Sequence, residues 1–132
     1  MKKLRFSLFF LVIFVFTNSQ VFAARNNNGI DIIMDGEKYN VKEVPIVLDG
    51  QTTYSEIPTF IHPINSYTLV PIRFISEHYG AQVGWEQKTK IATITLKDKE
   101  IKLVINSKDV YINGEKRTME DGTTPKLITF SD

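Results

Sequence analysis

Short apolar runs, separated by polar turn residues, fill the chain from about residue 30 onward. Their Val, Ile and Thr content favours β-strands. Apolar Ala92, Ile94 and Leu96 alternate with polar neighbours, and residues 101–105 show the same period of two. This alternation is typical of strands with one buried and one solvated face. The predicted strands are IDIIM (30–34), VPIVL (44–48), IATITL (91–96), IKLVI (101–105) and VYI (110–112).

Three of these runs end in a similar turn sequence, an apolar triplet followed by Asp-Gly or Asn-Gly and a polar residue. Such pairs accept the positive φ angles of a type I′ turn, which joins adjacent antiparallel strands. We therefore predict three similar hairpins, and a fourth in which KDKE (97–100) connects the runs 91–96 and 101–105. The three turn pairs are Asp35-Gly36, Asp49-Gly50 and Asn113-Gly114.

A longer internal similarity relates residues 46–65 to residues 111–130. Both segments read as a strand, a turn, a short strand, a proline and an apolar pair. This repetition indicates an internal duplication whose second copy is truncated at the C-terminus.

One segment has the pattern of a helix, from about residue 71 to residue 80. Pro71 suits a first helical turn, and Gly80 can adopt the left-handed conformation that ends a helix. Ile72, Ile75 and Tyr79 recur at spacings of three and four and predict an apolar stripe. A helix this short is marginal alone, so we expect it to pack on a sheet. Residues 82–85 then alternate as a further strand.

The N-terminus has the three-part pattern of a secretory signal peptide. Lys2, Lys3 and Arg5 precede an apolar run at 8–16 and a polar stretch that leads to Ala23. The small residues before position 24 predict cleavage after Ala23, although an uncleaved anchor is the alternative. The apolar run is shorter than the roughly 20 residues of a membrane span, so no stable span is expected after cleavage. We expect a signal peptide at 1–23, a flexible leader at 24–29, one domain at 30–132, and a secreted or envelope-associated protein.

The net charge argues against one class of function, and the cysteine content bears on how the fold is stabilised. Removing residues 1–23 takes away three of the 16 basic residues and none of the 15 acidic ones, which leaves a net charge of −2. That balance argues against nucleic-acid binding, which needs a concentrated basic face. The chain has no cysteine, so burial and backbone pairing must hold the fold without disulfides.

Several residues invite a chemical interpretation. Arg73 and Glu77 lie four apart on the predicted helix, so they predict an ion pair, with an anion anchor as the alternative. Trp85 is interpreted as a plug over the core, with a sugar-stacking platform as the alternative. His62 and His78 are the only histidines, and neither has a second ligand at a metal-binding spacing. We therefore predict no metal and no cofactor.

Enzyme classes find little support in the sequence. No serine lies in a Gly-x-Ser-x-Gly context, and no glycine-rich loop could cradle a phosphate. The acidic residues occur mostly at turns and on strand faces, whereas a glycosidase needs two opposed carboxylates in a cleft. We predict that the chain is not an enzyme and assign no catalytic, cofactor-binding or metal-binding residue.

The combination LVPxRF…E…GA.V.W at residues 69–85, followed by two hairpin strands, resembles the N-terminal stalk domain family of copper amine oxidases. The resemblance implies an α+β fold: an antiparallel, strongly curved sheet of short strands packed around one helix at about 71–80. It also implies an exported module without chemistry of its own, since the oxidase reaction belongs to a separate catalytic domain. A full unit of this family would continue with a second LVPxR helix after PKLITF (125–130), but the chain ends there.

The expected function is that of a non-catalytic interaction or structural module of the cell envelope. A truncated second copy would leave a strand within 110–119 or 124–130 with unpaired backbone groups, and such an edge could pair with a second copy or another exported protein. The alternative is a binder of cell-wall polysaccharide or peptidoglycan. It would use exposed tyrosines from the set Tyr39, Tyr54, Tyr67, Tyr79 and Tyr111.

Overall fold

A computed structural model describes residues 9–11, as backbone only, and residues 29–130. These residues form thirteen strands and one helix. The elements, in chain order, are β1 (Phe9–Leu11), β2 (Ile30–Met34), β3 (Glu37–Val41), β4 (Ile46–Leu48), β5 (Gln51–Thr53), β6 (Phe60–Ile61), β7 (Thr68–Pro71), α1 (Ile72–His78), β8 (Gln82–Glu86), β9 (Ile91–Leu96), β10 (Lys99–Val104), β11 (Asp109–Ile112), β12 (Glu115–Thr118) and β13 (Ile128–Phe130).

The described strands divide into four open sheets. The largest has the order β12-β11-β10-β9-β8, and all of its neighbouring strands are antiparallel. A second sheet has the order β13-β2-β3 and is also antiparallel. In the third sheet β7 pairs with β6 in antiparallel and with β1 in parallel orientation, and β4 and β5 form a separate hairpin. The predicted antiparallel fold with one short helix is therefore confirmed for this part of the chain.

The predicted strong curvature is wrong, because none of the described sheets is strongly curled. Proline gives a physical reason for the division into small sheets, since it lacks the N–H that a strand ladder needs. Pro45 lies immediately before β4, Pro58 and Pro63 flank β6, and Pro71 is the last residue of β7. Each therefore limits the length over which strands pair.

The predicted hairpin turns are present with the expected backbone geometry. In the β2–β3 turn, Asp35 has a φ of 53° and Gly36 a φ of 82°. The turns β4–β5 and β11–β12 have the same pair of positive angles. These turns are thus formed by residues that tolerate the left-handed region.

The helix is shorter than predicted at both ends. It begins at Ile72, because Pro71 keeps an extended backbone with φ −72° and ψ 111°. It ends at His78, and Gly80 follows with a φ of 84° while its N–H donates to the carbonyl of Glu77 at 2.9 Å. Gly80 thus ends the helix as predicted.

Two hydrophobic cores support these elements. The first lies under the five-stranded sheet and α1, and the second lies between β2, β3, β6, β7 and β13. The buried residues of the first core are Val70, Ile72, Ala81, Ala92, Ile94, Leu103 and Val110. Those of the second core are Ile32, Met34, Val41, Phe60, Leu69 and Ile128.

In the two similar segments, 46–65 and 111–130, the elements follow one another in the order that the sequence pattern predicts. The hairpins β4–β5 and β11–β12 are each followed by a fully buried proline, Pro58 or Pro125, and then by a short strand. An internal duplication and the proposed domain boundaries stay predictions.

Apart from residues 9–11, the predicted signal peptide lies outside the described residues, as do residues 24–28 of the leader. Within the described part of the chain, no helix has the length and apolarity needed to cross a membrane.

Candidate functional site

The described sheets have open strand edges, and such edges are suited to pairing with another polypeptide. An edge strand presents backbone N–H and C=O groups that a further strand can pair with. The described sheets offer several edges of different character, and the side chains along each edge decide how accessible it is.

The β12 edge is protected by charge. All four of its residues are exposed, and three of them are charged. Lys116 lies 3.1 Å from Asp109, and Arg117 lies 3.3 Å from Glu115. Charged edge strands disfavour the addition of a further strand. In the segment 110–119, β11 is paired on both sides, so only β12 supplies an open edge.

The C-terminal segment 124–130 is also paired. Its strand β13 is hydrogen-bonded to β2, with Ile128 opposite Met34 and Phe130 opposite Ile32. Ile128 is buried in the second core. One side of β13 is therefore in use within the chain, and the other side is a sheet edge.

The strand β7 has a different environment because its side chains are buried. Its residues Leu69, Val70 and Pro71 lie inside the protein. On one side β7 pairs with β6, and on the other side its residues 69–71 pair with β1. In the described part of the chain, β1 is the only strand on that second side.

The helix surface carries two polar contacts. Arg73 and Glu77 form the predicted ion pair, with Nη1 and Oε1 3.2 Å apart and both side chains about half exposed. His78 contacts Asp49 through Nε2 and Oδ2 at 3.0 Å, which links the helix end to the β4–β5 turn. These contacts connect elements at the surface, and in residues 29–130 no three His, Asp or Glu side chains are grouped to hold a metal ion.

His62 is a buried structural residue. Its Nδ1 accepts a hydrogen bond from the backbone N–H of Ile64 at 3.1 Å, with the N–H of Asn65 3.5 Å away. Burial lowers the pKa of His62 below its ordinary value, and the positive charge of Lys126 lowers it further, while Asp35 acts in the opposite sense. The neutral ring therefore fits this position, where it closes the turn after β6.

Contacts that the sequence does not reveal hold the turn after β6 and the segment before β13 in place. Asn65 donates to the carbonyl of Gly122 at 2.8 Å. Lys126 contacts Asp35 at 2.5 Å and Asn106 at 2.9 Å. The residues in these contacts are far apart in sequence, so no local spacing pattern could have identified them.

Trp85 packs against the first core, as interpreted from the sequence, although it remains partly accessible on the edge strand β8. Its Nε1 donates to Oε1 of Gln87 at 2.8 Å.

The five tyrosines are distributed over different elements. Tyr39 and Tyr67 pack against the second core, Tyr54 follows β5, Tyr79 follows α1, and Tyr111 lies in β11.

Comparison with known proteins identifies one family. A family model described as copper amine oxidase N-terminal domain matches residues 47–127. The matched segment runs from β4 to the residues just before β13 and includes the pattern at 69–85. Searches of curated proteins and of solved structures each give no match.

Proposed function

Because the chain belongs to the copper amine oxidase N-terminal domain family, we propose that it is a non-catalytic, exported module that binds a polypeptide through a strand edge. The bound polypeptide is a second copy or another exported protein. The observation that carries this proposal is the set of open sheets in a domain of this family. Such edges pair with added strands through the same backbone hydrogen bonds that build the sheets themselves.

The arrangement of the polar residues supports a structural role for them. Arg73 pairs with Glu77, His78 contacts Asp49, and His62 accepts backbone hydrogen bonds within its own turn. Each of these groups stabilises a local element or joins two elements. A binding role for the domain uses the strand edges and leaves these contacts intact.

Export is the second part of the proposal. It is supported by the signal-peptide pattern of residues 1–23. Expression of the full chain in a secreting bacterial host should release a protein whose mass corresponds to a start at Ala24. A chain that keeps residue 1 and stays in the cytoplasm would contradict this part.

Light scattering and cell-wall sedimentation test the binding role together. If a second copy is the partner, light scattering should show a dimer that dissociates on dilution. A monomer that sediments with purified cell wall would contradict polypeptide binding and favour the wall-binding alternative. Replacement of Tyr54 and Tyr111 by alanine then provides the control, because a sugar-stacking surface would lose its wall binding.

A further inference from the structure

The strand β7 lies at the junction of the two cores. Leu69 is fully buried in the second core, and its neighbour Val70 is buried in the first. Successive side chains of a strand point to opposite faces, so β7 separates the cores and contacts both. Its backbone is consequently part of the interior, where unpaired N–H and C=O groups are costly.

The partner on one side of β7 belongs to the predicted signal peptide. Residues 69–71 pair in parallel with β1, in the register Phe9 to Leu69, Phe10 to Val70 and Leu11 to Pro71. Cleavage after Ala23 would remove β1. In the remaining described residues no other strand occupies this side of β7. Cleavage would therefore open a backbone edge directly beside both cores.

We propose that, after cleavage, this edge of β7 accepts an extended apolar strand from a different exported polypeptide, in parallel and in the place of Phe9–Leu11. The inference rests on the proposed function and identifies the edge and the chemistry of its ligand. A parallel partner within one chain requires a long crossover connection, whereas a separate polypeptide has no such requirement. The strand that pairs there has the sequence Phe-Phe-Leu, and we therefore expect the ligand strand to be apolar.

The packing of the chain favours a different polypeptide over a second copy. The apolar faces of β2, β9, β10 and β11 are already packed in the two cores. A second copy would have to release one of these strands from its own core in order to donate it. The β12 edge is also a poor alternative acceptor, because its side chains are charged and exposed.

A synthetic peptide of residues 1–12 is a suitable probe, since Lys2, Lys3 and Arg5 keep it soluble beside its apolar residues. Its affinity is measured by fluorescence anisotropy with the exported form of the protein and with the full chain that retains residues 1–23. We expect saturable binding to the exported form and about tenfold weaker binding to the full chain, whose own β1 occupies the edge. The full chain with Phe9→Pro and Phe10→Pro together should bind like the exported form, because one of these two neighbouring residues directs its N–H toward β7 and proline has no N–H to donate.

Backbone methylation separates strand pairing from general hydrophobic adsorption. In a parallel pair alternate residues direct their backbone groups toward the partner strand. Two peptides are therefore compared, one methylated at the nitrogen of Phe10 and the other at those of Phe9 and Leu11. One of them should lose about tenfold in affinity and the other should not, because each lost backbone hydrogen bond weakens binding. Equal affinities, or equal binding of a scrambled peptide, would overturn the proposal.

A photoreactive group in place of the Phe10 side chain locates the bound peptide. Cross-links to residues 66–72 are the expected result. Cross-links to residues 115–118 or 128–130 would overturn the β7 site while leaving the proposed function of strand-edge binding intact. A complete lack of peptide binding, together with a dimer in light scattering, would overturn the choice of a different polypeptide as ligand but keep edge pairing.

Discussion

Ser76 provides a sharp test of how the helix is packed. It lies within α1 and is fully buried. Its hydroxyl has no hydrogen-bond partner in the described structure. An unpaired buried hydroxyl destabilises the folded state, because it loses its hydrogen bonds to water without replacement. We therefore expect Ser76→Ala to stabilise the protein, although it removes an atom from the core.

The size of the effect follows from three contributions. The unpaired hydroxyl costs about 1–3 kcal/mol. Alanine is also the better helix former, by up to about 0.5 kcal/mol. Loss of the dispersion contacts of one oxygen acts in the opposite direction and amounts to about 0.1–0.2 kcal/mol per contact. The free energy of unfolding should consequently rise by about 1–2 kcal/mol, which corresponds to a Tm increase of about 4–8 °C per kcal/mol in a domain of this size.

Urea denaturation followed by fluorescence of Trp85, the single tryptophan, measures this change. The denaturation midpoint should rise while the m-value stays constant. Ser55→Ala is the matched control, because Ser55 is also buried but its hydroxyl donates to the carbonyl of Ile57. That variant should lose about 1 kcal/mol. If Ser76→Ala lowers stability as much as Ser55→Ala does, the hydroxyl of Ser76 has a partner and the argument fails.

Three further predictions concern a buried histidine, a turn and a surface pair. The pKa of His62 is lowered by burial in the folded chain, so its contribution to the free energy of unfolding should be complete above pH 6.5 and be lost as the pH falls through the lower folded pKa. Urea denaturation at a series of pH values should show this dependence, and His62→Gln should reduce it. Gly114→Ala should cost about 1 kcal/mol because Gly114 has a φ of 81°. Gly84→Ala, in the extended strand β8 with the nearest contact of its added Cβ at 4.0 Å, should instead gain about 0.5 kcal/mol in the same denaturation assay. Arg73→Ala should change stability by no more than about 0.5 kcal/mol, since its contact with Glu77 is exposed; a larger loss in thermal unfolding would show that Arg73 has a further structural role.

Turns, strand faces and contacts within the helix could be predicted from the sequence, because each depends on residues that are close together in the chain. The turn at Asn113-Gly114 requires positive φ angles that these residues tolerate, and the structure has them there. The alternation of Ala92 and Ile94 with threonines predicts one buried face, and both residues are buried. The contact between Arg73 and Glu77 follows from helical spacing alone.

Contacts between distant segments could not be predicted in the same way. The pairing of β13 with β2 and the contact of Lys126 with Asp35 depend on how the hairpins pack, and no sequence period records that packing. The same holds for His78, which contacts Asp49 from a neighbouring hairpin. Strong sheet curvature was expected from the family resemblance, whereas short, proline-bounded strands form separate sheets.

The first residues of the pattern at 69–85 contact both hydrophobic cores. Leu69 and Val70 place one side chain in each core, and Pro71 ends the strand so that Ile72 can begin the helix within the first core. A change of strand register by one residue would exchange the two faces and send each side chain to the wrong core. These residues are therefore constrained by the junction of the two cores. That constraint accounts for the burial of Leu69, Val70 and Ile72, and in the proposed complex the ligand strand would pair with the backbone of the same segment.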